Sequence, residues 1–492
     1  MKEQILILLN QLQQEAVTPP LFDIYTYCKK AKIELDRPMR IAITGVIKTG
    51  KSTLLNGFMG KHIVPTAVEV LTYNVNWFHH VDSSDDGKEK LLVHFHDGNS
   101  ETFPLSKLDD LVAHKSENKD LLDKIHWVDV YINHPILKVF DLIDTPGLDS
   151  PLKIDSEKTL ELLTKEKNRP DAIIHLIKKG FQRKDMKAVQ EFHQSIGLMV
   201  SGINAVAALT RVDEMQNEYT EAQEIIQRNK NEHAEIRYYF SEIFPIAALP
   251  AQASKTLSDN DIELLKSLAD YEKIDNFMGD KNNFENDLNF ISLKERQSLC
   301  TQLSIAGIRF SVKYFQHNPK ATFEDFRKHL YEFSNVGNLQ KYIDSQFGKR
   351  ADFYKSTRIM AGLKKVCEET SRKCRGQEKE IISSFLRKIN LLDYDIHNHY
   401  ASYYILRDYY NQSDYFNEDD WDKAKRILGE YGQTDVERLG LPEGASENEI
   451  QQAYRKSYSY WNNTSLQKHL IGKTIGGDVA KQIAEIVQIF IK

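Results

Sequence analysis

Gly45-Val46-Ile47-Lys48-Thr49-Gly50-Lys51-Ser52 sets two glycines, a lysine and a hydroxyl at the spacing of a phosphate-binding loop. Glycines let the backbone curl until its N–H groups converge on phosphate oxygens, and a following helix N-terminus adds a favourable dipole. Gly45, Val46, Ile47, Lys48, Thr49, Gly50 and Thr53 are the expected backbone cradle. Lys51 is placed to reach the β- and γ-phosphates, and the Ser52 hydroxyl to ligate Mg²⁺. The flanks agree: the apolar run Arg40-Ile41-Ala42-Ile43-Thr44 predicts a strand, and Ser52-Thr53-Leu54-Leu55-Asn56 predicts a helix.

Three later segments extend this site. Lys138-Val139-Phe140-Asp141-Leu142-Ile143 reads as a strand ending in Asp144-Thr145-Pro146-Gly147. A carboxylate at the C-terminal end of a buried parallel strand lies in the ligand crevice of an α/β sheet. Asp144 is the expected Mg²⁺ partner, and the Gly147 N–H would face the γ-phosphate. Ala205-Val206-Ala207-Ala208-Leu209 then ends in Thr210-Arg211-Val212-Asp213, which resembles the [NT]-K-x-D base-reading motif of GTPases. Asp213 would accept from N1–H and N2–H₂ of guanine, a pattern adenine lacks. Arg211 stands where that motif has lysine; a guanidinium can also lie along a base. In Phe244-Pro245-Ile246-Ala247-Ala248-Leu249, Ala247 and Ala248 can offer a base only their N–H groups.

The loop after the first helix narrows the family. Leu54-Leu55-Asn56-Gly57 followed by Val64-Pro65-Thr66-Ala67-Val68-Glu69-Val70-Leu71-Thr72 resembles the bacterial dynamin-like GTPases over roughly residues 37 to 250. The resemblance implies that Thr72 is the switch threonine, closing on Mg²⁺ and the γ-phosphate, with Thr66 as the second choice. It also implies GTP as substrate, Mg²⁺ as cofactor, pairing of heads as a homodimer or higher oligomer, and peripheral contact with membranes. Eukaryotic dynamins carry Gln-Ser at the third and fourth loop positions; here they are Ile47 and Lys48. Ile47 cannot orient a water. Lys48 either does the electrostatic work of the family's monovalent cation or is a solvated lysine in a slow site.

The chain of 492 residues is long enough for several domains. Its net charge of −6 argues against a nucleic-acid partner. Cys28, Cys300, Cys367 and Cys374 form no C-x-x-C pair, as expected of a reducing cytosol. Neither a signal peptide nor a run long enough to span a bilayer is expected, and no hydrophobic hairpin stands out as a membrane-inserting element.

The expected architecture is an α/β P-loop GTPase domain with a doubly wound mixed sheet, then a long all-α region and a small C-terminal helical module. By residue this gives N-terminal neck helices over 1–36, the GTPase domain over 37–250, and a helical insertion with closing helix over 251–350. A helical stalk over 351–430 and a final module over 431–492 follow. Three antiparallel-looking strands are expected at Tyr73 to His80, Leu91 to His96 and Ile125 to Ile132. Ser334-Asn335-Val336 resembles an S-G-x-x-x-L helix start, with Asn335 replacing the glycine. In the tail, Leu439-Gly440-Leu441, a capping box from Ser446 to Glu449, and Ala453-Tyr454-Arg455-Lys456 resemble the first half of a J-domain. Asn462-Asn463-Thr464 stand where such proteins carry H-P-D, so a protein-interaction module is expected rather than a co-chaperone. Two other readings stay open: a catalytically weak GTP-binding scaffold, and a translation-factor-like GTPase acting on RNA.

Overall fold

A computed structural model describes the chain except residues 47, 61–62, 65–73, 85, 113–118, 146–168, 179, 182–201, 216, 234, 412–414, 433 and 492. It opens with helices α1 (Lys2–Glu15) and α2 (Phe22–Asp36), separated by Pro19-Pro20. Strand β1 (Met39–Gly45) and α3 (Lys51–Met59) follow, then β2 (Val75–His80), β3 (Lys90–Phe95), β4 (Ser100–Phe103), β5 (Ile125–Ile132), β6 (Phe140–Asp144), β7 (Ala172–Lys178) and β8 (Ala205–Thr210). Helix α4 (Glu218–Glu232) leads to β9 (Ile243–Pro245) and to α5 (Ala248–Thr256), α6 (Asp259–Ala269), α7 (Leu293–His317), α8 (Phe323–Phe333) and α9 (Val336–Tyr342). The remaining principal helices are α10 (Lys349–Lys373), α11 (Gln377–His399), α12 (Ala401–Asn411), α13 (Glu418–Ile427), α14 (Glu447–Leu470) and α15 (Thr474–Ile489). Two compact units result: residues 38–344, and residues 1–37 with 345–492.

The first unit is built on a nine-stranded sheet of order β4-β3-β5-β2-β6-β1-β7-β8-β9. Strands β6, β1, β7, β8 and β9 run parallel. Ile41, Ala42 and Ile43 of β1 are wholly buried, as the continuous apolar run requires of a central parallel strand. Towards the other edge the sheet is mixed, but not as the sequence suggested. β2 and β5 are parallel to each other, β2 is antiparallel to β6, and β3 is antiparallel to β5. A further strand, β4, closes the edge against β3. Its Ser100-Glu101-Thr102-Phe103 has no buried face, so no apolar alternation announces it.

Helices α5 to α8 share one core, in which Leu257, Ile262, Leu265, Phe284, Leu303, Ile308, Phe315 and Phe326 are buried. They belong to the same compact unit as the sheet, with α5 packed on α3. Gly57 permits that approach: a Cβ there would lie 3.3 Å from the Ala251 Cβ. Asn335 does take the glycine-like conformation at the start of α9, with φ 57°, and its amide donates to the Pro245 carbonyl at 2.8 Å. Asparagine reaches that region at small cost because its short side chain hydrogen-bonds locally.

In the second unit α1, α2, α10 and α11 enclose a common core of Ile5, Leu9, Leu12, Ile24, Cys28, Ile359, Leu363, Cys367, Ile382, Phe385 and Ile389. Gly362 leaves room for Tyr27, whose hydroxyl donates to the Ile359 carbonyl at 3.1 Å. All four cysteines are buried free thiols. Helices α14 and α15 form an antiparallel hairpin. The capping box from Ser446 to Glu449 is present at the start of α14. That helix then runs unbroken through Asn462, Asn463 and Thr464, leaving no loop where H-P-D would stand. Leu466, Leu470, Ile471 and Ile475 are exposed around the turn of the hairpin, Leu470 by 85%. Four residues divided between two helix ends make no hydrophobic run, so this apolar tip leaves no mark in the sequence.

Candidate functional site

β1 ends in a left-handed kink at Gly45 (φ 145°), and positive φ recurs at Lys48 (63°) and Gly50 (93°) before α3 begins. A Cβ at Gly45 would lie 2.6 Å from the Leu176 carbonyl and 2.9 Å from Thr49 Oγ1, so only glycine fits there. Positive φ at these positions turns neighbouring N–H groups inward, as in an anion nest. Thr49 Oγ1 closes the loop internally by donating to the Val46 carbonyl at 2.8 Å. Ser52 and Thr53 occupy the first turn of α3.

Lys51 is buried, and its Nζ donates to the Gly45 and Val46 carbonyls, each at 3.2 Å. Burial lowers the proton affinity of this ammonium, while the Asp144 carboxylate acts in the opposite direction. Asp144 is fully buried at the end of β6, in register with Ile43 of β1. Thr145 fixes the exit from that strand by donating to the Ile43 carbonyl at 2.9 Å. Ser52 and Asp144 supply the hard oxygens that Mg²⁺ prefers, and the nest and Lys51 suit a polyphosphate. The residues present therefore fit a magnesium nucleotide.

The Thr210–Asp213 segment is tied directly to this loop. Thr210 Oγ1 donates to the Thr49 carbonyl at 2.7 Å and lies 3.1 Å from the Ile177 carbonyl. Arg211, in a left-handed conformation (φ 60°), donates from Nη2 to the Lys48 carbonyl at 2.9 Å and pairs with Glu214. Asp213 is 5% exposed. Burial pushes its carboxyl up to about 6, opposed by the nearby hydroxyl of Ser304 in α7.

The other positions are less uniform. The Ala247 N–H donates to the Ser334 carbonyl at 2.9 Å, so it is engaged within the fold; Ala248 opens α5. Ile47, Thr66, Thr72 and Gly147 lie outside the described residues. Ser304 was not anticipated, since a serine inside an amphipathic helix carries no sequence signal.

Residues 41–180 match the model of the dynamin family. The isoniazid-induced protein IniC of Mycobacterium tuberculosis is 23% identical over 360 residues, covering 70% of each chain. Dynamin-like protein 2 of Campylobacter jejuni is 25% identical over 239 residues, which are 48% of this chain and 35% of that protein. A solved chain from an oligomerised bacterial dynamin pair, described as long-range sensing and tethering of membranes, aligns over 99% of this chain and 90% of its own, at 16% identity and a TM-score of 0.36. That score is too low to add weight. The family match and the sequence relatives are what bear on the kinship of this chain. Residues 41–180 are thus similar to the dynamin family, and a longer stretch of the chain is similar to bacterial dynamin-like proteins.

Proposed function

We propose that this chain binds GTP with Mg²⁺, hydrolyses it, and pairs through its GTPase heads while touching membranes peripherally. The observation that supports this most is the direct bonding of Thr210 and Arg211 to the phosphate loop beside the buried Asp213. It puts base-reading and phosphate-holding groups into one connected unit, and phosphoryl transfer depends on such positioning. Lys51 and the loop amides would hold the phosphates, Ser52 and Asp144 the metal together with Thr72, and Asp213 the guanine. Mg²⁺, when bound, neutralises charge developing on the phosphates. Lys48 is exposed on the loop and is assigned the electrostatic role of a monovalent cation. Turnover should then be indifferent to K⁺; acceleration of many-fold by K⁺ would refute that role.

The membrane contact is assigned to the α14/α15 tip. Its four exposed aliphatics can each contribute roughly 1.5–3 kcal/mol if fully buried. No acidic residue occurs between Glu449 and Asp478, whereas Arg455, Lys456, Lys468 and Lys473 do. This matches an anionic lipid surface better than the acidic chain as a whole. No helix among the described residues is long and apolar enough to cross a membrane. Equilibrium binding of labelled GTP and ATP with Mg²⁺, to the wild type and to Lys51→Ala, tests the nucleotide assignment. GTP alone should bind, and only to the wild type; equal binding of ATP would refute guanine selectivity.

A further inference from the structure

Ser304 breaks α7 in its middle. Its φ of 61° and ψ of 172° are not helical and belong to a region that residues with a Cβ rarely adopt. Neither proline nor glycine occupies the break; Gly307 comes later. Such a backbone persists where its surroundings over-determine it, and it is commonest at functional positions. The surroundings here are specific. Ser304 and Asp213 line one cavity of about 870 Å³ with Leu249, Met278 and Arg309, and the Ser304 hydroxyl is near enough to favour the charged form of the Asp213 carboxyl. Beyond the break, Arg309 Nη1 bonds Glu218 Oε1 at 2.8 Å, at the start of α4, and Nε bonds the Met278 carbonyl at 3.3 Å. The helix is thus anchored against the elements around the Asp213 turn, and the break lies on the cavity that this carboxylate also lines.

We propose that Ser304 is a positioning residue for guanine recognition, its hydroxyl holding Asp213 ionised and aimed while the carboxylate's other lone pairs accept N1–H and N2–H₂ of the base. The inference rests on Asp213 reading guanine. An ionised carboxylate has about four acceptor sites, so the serine bond and two base bonds can coexist. Hydrogen bonds to the charged form favour that form, which opposes the effect of burial on Asp213. The inserted helices α5 to α8 thereby contribute to base selection through one side chain.

Other charges near Asp213 enter its titration. Arg211 and Glu214 flank it in sequence, and Tyr219 of α4 lies close. Around the cavity stand Asp275, Asp280, Lys281, Arg309 and Lys313. These remain in a Ser304 variant, so a change in titration there reports the hydroxyl.

The test is titration of a fluorescent GDP analogue against the full chain through the acidic range around the Asp213 transition. Wild type, Ser304→Ala and Ser304→Gly are compared, with thermal melts as a folding check. Alanine removes the hydroxyl and keeps the backbone demand; glycine removes both. Both variants should bind GDP roughly tenfold more weakly at neutral pH. In both, the pH at which affinity collapses should move upward. Wild-type affinity and an unmoved midpoint in both variants would overturn the proposal. So would recovery in the glycine variant alone, which would make the backbone the cause. A wild type that binds no guanine nucleotide at any pH would instead refute the guanine assignment, and this inference with it.

Discussion

Arg211 Nη2 bonds the Lys48 carbonyl at 2.9 Å, joining the Thr210–Asp213 turn to the loop between β1 and α3. Thr210 makes a second bond between the same segments, to the Thr49 carbonyl. An arginine in the lysine position is therefore a crosslink: its planar fork serves Glu214 and the loop at once.

Arg211→Ala should weaken GDP binding and hasten its release. A charged hydrogen bond contributes about 1.5–3 kcal/mol when shielded, and partial exposure of this guanidinium reduces that. A loss of roughly three- to thirtyfold follows, with Arg211→Lys closer to wild type because its ammonium can reach the same carbonyl. Release rates of a fluorescent GDP analogue measure this; an alanine variant indistinguishable from wild type would contradict it.

Asp213→Asn should exchange base preference. An amide offers an N–H where the carboxylate offered an acceptor, so it pairs with the C2 carbonyl of xanthine instead of the C2 amine of guanine. GTP affinity should fall roughly a hundredfold or more while XTP gains. Competition binding with both nucleotides checks it. For the wild type, protonation of Asp213 removes an acceptor, so GTP affinity should hold above about 6 and fall below it.

A buried charge cluster fixes β2, the strand into which residues 65–73 lead. His79 contacts Asp129 at 3.3 Å and Asp141 at 3.1 Å, and His94 contacts Asp129 at 2.8 Å. Burial opposes charging of His79, but Asp141 and Asp129 outweigh it and raise its pKa to about 9. Burial would likewise raise Asp129, yet its bonds from His79 and His94 bring it down to about 2. The raised histidine stabilises the fold fully below its unfolded value and loses that contribution as pH rises through about 9. The depressed aspartate contributes above its unfolded value and loses this as pH falls through about 2. Denaturation of the wild type should show a loss of a few kcal/mol from neutrality to about pH 10 that His79→Gln lacks. Parallel pH profiles for the two would contradict it.

Replacing Leu470 and Ile471 by Glu should abolish sedimentation with anionic vesicles while GTP turnover in solution stays unchanged. The side chains are 85% and 66% exposed, so their replacement disturbs no core. Retained vesicle binding would place the contact elsewhere.

How far the sequence was informative differs from site to site, for physical reasons. The phosphate loop was legible because its geometry requires glycines and a lysine at fixed spacing. Asp213 was legible because the wholly apolar strand before it, three alanines with a valine and a leucine, reads as buried. Arg211 was visible as a departure, but its bond to Lys48 depends on a left-handed turn that local sequence does not impose. Ser304 was invisible because the break in α7 comes from tertiary packing. Asn335 departs from the glycine of the S-G-x-x-x-L pattern by type, yet it adopts the same left-handed conformation. β4 and the hairpin tip were missed because periodicity detects buried faces, and neither has one.

The central claim is that this chain hydrolyses GTP and that its heads stimulate one another. The most direct measurement is specific GTPase activity, with ATP as control, over a wide range of protein concentration. Activity towards GTP that rises with concentration, with none towards ATP, is the predicted result. GTP binding with flat, negligible turnover at every concentration would contradict it and leave a nucleotide-dependent scaffold in its place.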